Sequence, residues 1–412
     1  MAKRLLVASY YLTPRAFGGS AVVAEEVARR LAAKDDWRIT FLSASYHGSL
    51  EEPQIIRTRI PFDCDHYTVN LGGHRTKNEE FENPKVTSAL TDLIDRLKPD
   101  AAHIHTVQNL GVGLFDTLHR RGVPMVLTTH DYWWLCENIF MHNNAGVFCG
   151  QEDISRSVCA TCVKEPSTLS WRWSRAIDTL AKPRFLTYPS EYARGMHERN
   201  GVPAANGVVV PNGVNPPGPG YAAKRTAKPS PRLRFGYIGG PGPLKGWAMI
   251  ERAFRAFSPE EVELVVVDAA THLGGSWWGT YDFGKIKPLV TVVPGYDQST
   301  VDDFFAGLDV LLFLSTWKET FGLTSREAAL RGVHVLATDC GAPVEPLIDG
   351  DTATILPGLG SAADLEAAVR RLLQDGVPEP SEAGRAKLAA TIRTYEDQAT
   401  EIDGLLKQAI DG

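Results

Sequence analysis

The run Lys318-Glu319-Thr320-Phe321-Gly322-Leu323-Thr324-Ser325-Arg326-Glu327-Ala328-Ala329 places two carboxylates either side of a glycine. It follows an apolar segment, 310–314, and leads into helical spacing, so Gly322 to Thr324 fall at a helix N-terminus. Free amides and the positive end of the helix dipole favour an anion there, each first-turn interaction contributing about 0.3–1 kcal/mol. Glu319 lies on the approach loop, and Glu327 about two turns onward. A carboxylate accepts two hydroxyl hydrogen bonds, which suits neutral polyols. Amide donors for phosphate flanked by acceptors for hydroxyls describe a sugar-nucleotide site. A surface helix with two solvated glutamates fits the same residues.

Three other stretches carry groups of the same kind. Between an expected strand, 233–238, and a helix through Phe257 lies Gly239-Gly240-Pro241-Gly242-Pro243-Leu244-Lys245-Gly246-Trp247. One lysine on such a turn is a candidate phosphate clamp, although Walker spacing is lacking and a solvent-exposed lysine is the plain alternative. Gly18-Gly19-Ser20 sits between the strand 5–9 and a helix with Val23, Val27 and Leu31 on one face. Such a loop lets amides approach an anion, but paired glycines near turns also arise for steric reasons. His105 with Asn109 follows one strand and Thr129-His130-Asp131 the next. A histidine at a strand end in an open sheet faces the crevice, and the alternative for His130 is a hydrogen-bonded structural role.

Four of the six cysteines, Cys136, Cys149, Cys159 and Cys162, fall within 27 residues at gaps of 12, 9 and 2. Two thiolates spaced as Cys159 and Cys162 reach one tetrahedral ion, and the other two complete a four-sulfur zinc site that staples a loop without doing chemistry. Unrelated buried thiols and an iron–sulfur cluster are the alternatives. Cys64 and Cys340 stand apart as packing residues.

At 412 residues the chain exceeds what one hydrophobic core usually supports. Short apolar strands alternate with helices in both halves, which implies an α/β protein of two doubly wound, Rossmann-like domains. The Pro/Gly-rich stretch from Pro211 to Gly220, extending to about Pro231, marks the linker. The expected division is residues 1–215, with a Cys-rich insert at 131–165 and a returning helix at 396–412, and residues 216–395 as the second domain. A net charge of −6 argues against a nucleic-acid partner. No apolar run approaches ~18 residues, so the chain reads as cytoplasmic. Ser170-Trp171-Arg172-Trp173-Ser174-Arg175, with Lys182 and Arg184, fits either peripheral contact with anionic lipid at the inner face of a membrane or a helix covering its domain.

Taken in order, Gly18-Gly19, Thr129-His130, Val210-Pro211-Asn212-Gly213-Val214, Lys245-Gly246, Glu319 to Leu323, Glu327-Ala328-Ala329 and Gly341 to Glu345 make the chain resemble retaining glycosyltransferases of family 4 along nearly its whole length. The Cys-rich insert resembles a bacterial subset of them. The resemblance implies the GT-B arrangement of two facing Rossmann-like domains, with the last helix crossing back to the first. It implies that Glu327 holds the ribose hydroxyls and Glu319 the donor sugar. Phe321, Gly322 and Leu323 would then offer amides to sugar and diphosphate, and Lys245 would neutralise the leaving diphosphate. His130 would touch the donor sugar and Gly19, beside Gly18, would line its phosphate side. Gly240 stands where the family usually carries a second phosphate-binding arginine. The implied reaction moves a sugar from a nucleotide-diphosphate sugar to a glycan, lipid-linked or small-molecule hydroxyl in bacterial surface polysaccharide synthesis, with no catalytic metal. Against it stand a protein that binds the nucleotide sugar without transfer, an epimerase, and an interaction module built on the cysteines.

Overall fold

The computed structural model of the chain describes residues 2–12, 18–46, 52–60, 64–72, 75–227 and 230–412. Residues 13–17, the middle of the expected glycine loop, lie outside them. Two compact units are present: Met1–Asn143 with Cys149–Gly213 and Tyr395–Gly412, and Val214–Thr394 with Asn144–Phe148.

The first unit is built on an eight-stranded sheet. Its strands are β1 (Lys3–Ala8), β2 (Trp37–Tyr46), β3 (Gln54–Thr58), β4 (Asp65–Leu71), β5 (Ala101–Ile104), β6 (Met125–Thr128), β7 (Phe185–Tyr188) and β8 (Gly207–Val209). They run in the order β3-β4-β2-β1-β5-β6-β7-β8, and the one antiparallel pair is β3 with β4. Leu5 lies opposite Ile39 on one side and Ala101 on the other, so the apolar runs seen in the sequence are the central strands buried on both faces. The β3–β4 edge went unread because it is mixed in polarity and half solvated, with Ile56 41% exposed. Chain order reverses between β1 and β5, so the ends of these two strands flank the crevice of this sheet.

The second unit has a wholly parallel sheet of β9 (Leu233–Tyr237), β10 (Val262–Asp268), β11 (Val290–Pro294), β12 (Val310–Phe313), β13 (His334–Thr338) and β14 (Ala353–Leu356). The order β11-β10-β9-β12-β13-β14 is that of a dinucleotide-binding fold, and it reverses between β9 and β12. Residues carried past the carboxyl ends of those two strands therefore meet. An aromatic cluster of Tyr237, Trp247, Trp278, Tyr281 and Phe283 packs one side of this sheet.

The expected linker is shorter than its composition suggested. Past Gly213 the chain belongs to the second unit and forms a helix, Tyr221–Thr226, whose Tyr221 hydroxyl donates to Arg331 O at 3.0 Å and whose Arg225 donates to Leu308 O and Gly332 O. Proline and glycine here shape a packed segment rather than a free tether. The last helix, Tyr395–Asp411, packs on the first unit. Its Asp403 accepts from Trp37 Nε1 at 2.7 Å and from Lys34 Nζ at 3.1 Å, and Gln398 grips Gly213 N and Asn212 Oδ1. No helix of the described residues is long and apolar enough to cross a membrane.

Candidate active site

The reversal point of the second sheet gathers Gly240, Lys245, Glu319, Gly322 and Glu327, whereas Gly18, Gly19, His130 and the clustered cysteines belong to the first unit. After β9 the chain turns through Gly240 and a short 3-10 segment, Pro243–Lys245, before the helix Trp247–Phe254. Gly246 has φ +79°, and a Cβ there would lie 2.1 Å from Leu314 O, so only glycine lets this turn press against the end of β12. The contact is reinforced by Thr316, whose backbone amide donates to Leu244 O at 3.0 Å. Lys245 Nζ consequently reaches Glu319 Oε1 at 2.6 Å, beside the rings of Phe313 and Trp317. Glu319 is 7% exposed, also accepts from the Ser315 hydroxyl, and donates its backbone amide to Cys340 O. The carboxylate is thus fixed by two donors, and the lysine keeps a partly exposed edge toward solvent.

The helix Leu323–Leu330 begins directly after Gly322, which has no side chain to cap it. Its first amides are presented without a side-chain acceptor, as an anion seat requires. Arg326 is not a phosphate ligand in this arrangement: its buried guanidinium lies 3.8 Å over the Phe321 ring and donates to Phe321 O, Gly322 O and Ala342 O. Burial lowers its pKa to about 10, and its hydrogen bonds tie the loop at Phe321 and Gly322 to Ala342. Glu327 is 3% exposed and accepts from Gln298 Nε2 at 3.2 Å and the Tyr296 hydroxyl at 3.5 Å. Desolvation raises its pKa above the usual carboxylate value. At Gly240, φ is +66° and a Cβ would lie 2.8 Å from Trp277 Cε3, so an indole occupies the space an arginine side chain would leave through.

In the first unit, Gly18 precedes the helix Gly19–Ala32 without capping it by a side chain. His130, past β6, pairs with His105, past β5: Nδ1 of His105 lies 2.9 Å from Nε2 of His130, with the rings stacked at 14°. Burial lowers the His130 pKa to about 3, so the pair is neutral and one ring donates while the other accepts. Beside it, burial raises Asp131 to about 6 despite bonds from Trp133 N and Gln108 Nε2.

Residues 17–217 match the sequence model of Glycosyltransferase Family 4, and residues 282–390 match that of Glycosyl transferases group 1. A GDP-mannose-dependent alpha-mannosyltransferase of Mycolicibacterium smegmatis is 25% identical over 82% of this chain and 83% of its own. Both models are of glycosyltransferases, and the chain is a glycosyltransferase. A D-inositol 3-phosphate glycosyltransferase of Stackebrandtia nassauensis is 28% identical over about half of each chain. Among solved structures, the sucrose-phosphate synthase of Thermosynechococcus elongatus superposes with TM-score 0.70 at 17% identity, covering 99% of both chains. Anabaena HepE in complex with UDP and glucose superposes with TM-score 0.66 at 14% identity, covering 98% of this chain and 100% of that one. These likenesses establish two Rossmann-like units of the GT-B class.

The glycosyltransferase carries its four clustered cysteines in the first unit, between β6 and β7. All four line one cavity, of about 40 Å³, and all are free thiols. Among the described residues, however, no three His, Cys, Asp or Glu side chains are drawn to ligand distance of a common point, so the expected closed four-sulfur site is not assembled as the thiols stand.

The Trp/Arg stretch forms the helix Leu169–Leu180, and its cations turn inward. Arg172 is buried over the rings of Phe81 and Trp133, Arg175 pairs with Glu82 and Asp116, and Lys182 pairs with Asp116. That is the domain-covering arrangement, with Trp171 left 44% exposed. Ser315, Tyr296 and Gln298 escaped the sequence reading. They are uncharged, lie in unremarkable loops, and reach the two glutamates only through the sheet order.

Proposed function

We propose that this chain transfers a sugar, with retention at the anomeric carbon and without a catalytic metal, from a nucleotide-diphosphate sugar to a hydroxyl of a glycan, glycolipid or small molecule. The supporting observation is the Lys245–Glu319 pair, 2.6 Å apart beside the open helix start at Gly322, with buried Glu327 in the same helix. Breaking the bond between anomeric carbon and diphosphate develops positive charge on the sugar and negative charge on the leaving oxygen. An ammonium group and aligned amides stabilise the latter, which is the work a divalent ion does elsewhere. Glu319, fixed by Ser315 and Lys245, accepts sugar hydroxyls, and Glu327 accepts the ribose hydroxyls now mimicked by Tyr296 and Gln298. The acceptor hydroxyl attacks from the face the diphosphate leaves, and a phosphate oxygen takes its proton. Two carboxylates astride the bond, as in glycosidases, are not needed.

The mannosyltransferase relative makes GDP-mannose the first donor to test, with UDP-, ADP- and TDP-sugars beside it. Surface polysaccharide synthesis in a bacterium is the setting we assign. A thermal-shift panel identifies the nucleotide, because a ligand at one hundred times its dissociation constant stabilises a fold by about 2.7 kcal/mol. Product analysis with that donor then separates transfer from epimerisation or simple hydrolysis. A chain stabilised by no nucleotide sugar contradicts the reading. Stabilisation without transfer to any acceptor favours the binding protein, for which Gly240 in the arginine place is the specific argument.

A further inference from the structure

Glu327 takes the shorter of its side-chain hydrogen bonds from a neutral amide, and what orients that amide lies far away in the chain. Gln298 Nε2 donates to Glu327 Oε1 at 3.2 Å, and the Gln298 oxygen accepts from Asn215 Nδ2 at 2.9 Å. A carboxamide occupies the same space when turned over, with its oxygen where its NH2 group was. Turned over, Gln298 would set an oxygen against the Glu327 carboxylate. The Asn215 donor removes that alternative, because it holds the oxygen on its own side. Asn215 is in turn held by a buried frame. Arg331, whose side chain is 1% exposed, donates to Asn215 O and to Glu327 O, both at 3.2 Å, and pairs with Asp302 at 2.7 Å. Asp302 also accepts from Gly218 N at 2.8 Å, so the segment 215–218 is pinned at both ends by the Arg331–Asp302 pair.

A buried carboxylate stays charged only where donors or cations offset its lost hydration, and the Gln298 amide and the Arg331 charge do so at Glu327. We propose that Asn215 is a positioning residue of the donor site: through Gln298 it keeps a hydrogen-bond donor, and not an oxygen, against Glu327. The carboxylate is thereby presented to the ribose hydroxyls, the role proposed for it above and the one on which this assignment rests. A carboxylate has about four acceptor directions, so it can keep Gln298 and accept ribose as well. The looser Tyr296 contact, at 3.5 Å, is the one that gives way. Asn215 itself need not touch the ligand. Asn215→Asp replaces its donor by an acceptor, which draws the Gln298 NH2 group away and turns the Gln298 oxygen toward Glu327.

The test is calorimetric titration of the full chain with GDP, UDP and ADP, each beside its 2′,3′-dideoxy form, which lacks the hydroxyls that Glu327 would accept. The unaltered chain should bind one of the three at least about tenfold more tightly than its dideoxy form. Asn215→Asp should weaken that ribonucleotide about tenfold and leave the dideoxy form within about twofold, because the lost contact is to ribose alone. Asn215→Ala, which lets Gln298 turn either way, should remove part of the preference. In a Gln298→Ala background, adding Asn215→Asp should have no further effect, since the two residues act as one unit. A merely structural role would weaken both forms alike and would persist without Gln298. That result overturns the proposal, as does an undiminished preference in both Asn215 variants. If the unaltered chain prefers no ribonucleotide over its dideoxy form, the ribose role of Glu327 fails, and that of Asn215 with it. Should a thermal melt show that Asn215→Asp does not fold, Asn215→Ala decides by the same ratio of affinities.

Discussion

Lys245 and Glu319 neutralise each other at 2.6 Å, and under the proposed function the pair is where charge is redistributed when a diphosphate arrives. The lysine is partly exposed, but its partner carboxylate is buried, so its removal leaves that charge with the Ser315 hydroxyl as side-chain donor. Lys245→Ala should lower turnover at least tenfold, equivalent to about 1.4 kcal/mol of transition-state stabilisation, together with some loss of melting temperature. Glu319→Ala should have an effect of similar size on turnover. Steady-state kinetics with the identified donor, beside a thermal melt, measure both, and normal turnover in either variant refutes the roles assigned. Glu327 makes a different prediction. Its pKa is raised by burial, so the folded chain holds that proton more tightly than the unfolded one. Folding stability from this group therefore falls as pH rises from its unfolded value of about 4.5 through its folded one. Glu327→Gln should melt no lower than the unaltered chain at neutral pH, yet bind nucleoside diphosphate at least tenfold more weakly, since hydrogen bonds to a charged group contribute about 1.5–3 kcal/mol. Melts across the pH range together with calorimetric titration check both halves.

At the scale of elements, two glycine turns set the site. Gly246→Ala would need a left-handed alanine and a Cβ at 2.1 Å from Leu314 O, costing about 2–5 kcal/mol and dislodging Lys245. Denaturant unfolding reads the first effect and donor affinity the second. Restoring the family's arginine by Gly240→Arg should destabilise the chain rather than improve it, because Trp277 fills the exit; adding Trp277→Gly should recover part of the loss in a thermal melt. The glycine-plus-lysine pattern and the strand-to-helix change at Gly322 were legible as local chemistry. What the pattern could not convey is that Arg326 faces backwards onto Phe321 and three carbonyls, because a side chain's direction depends on neighbours supplied by Ala342, distant in sequence. The same holds for Arg172 and Arg175: a Trp/Arg run reads alike whether its cations face lipid or, as here, Phe81, Glu82 and Asp116.

For the molecule as a whole, the last helix belongs to the packing of the first unit. Asp403 fixes Trp37 Nε1 and Lys34 on that unit, and Tyr395, Ile402 and Leu406 are buried. Asp403→Ala leaves the buried indole N–H without its acceptor and should cost about 1–3 kcal/mol in chemical denaturation. The chain's periodicity by itself determined two parallel α/β sheets and a final helix long enough to return, because buried parallel strands must be continuous apolar runs and such runs are visible in any sequence. It determined equally the residues with chemistry to offer, since charge, glycine turns and clustered thiols are properties of residue type. Only the tertiary structure decided which of them meet. The strand order set Lys245 beside Glu319 and supplied Gln298 and Tyr296 to Glu327. Likewise, the path of the loop after β6 brought four thiols to one cavity without closing them. Contacts of that kind depend on sheet order and side-chain direction, and neither has a signature within a few residues of the group it places.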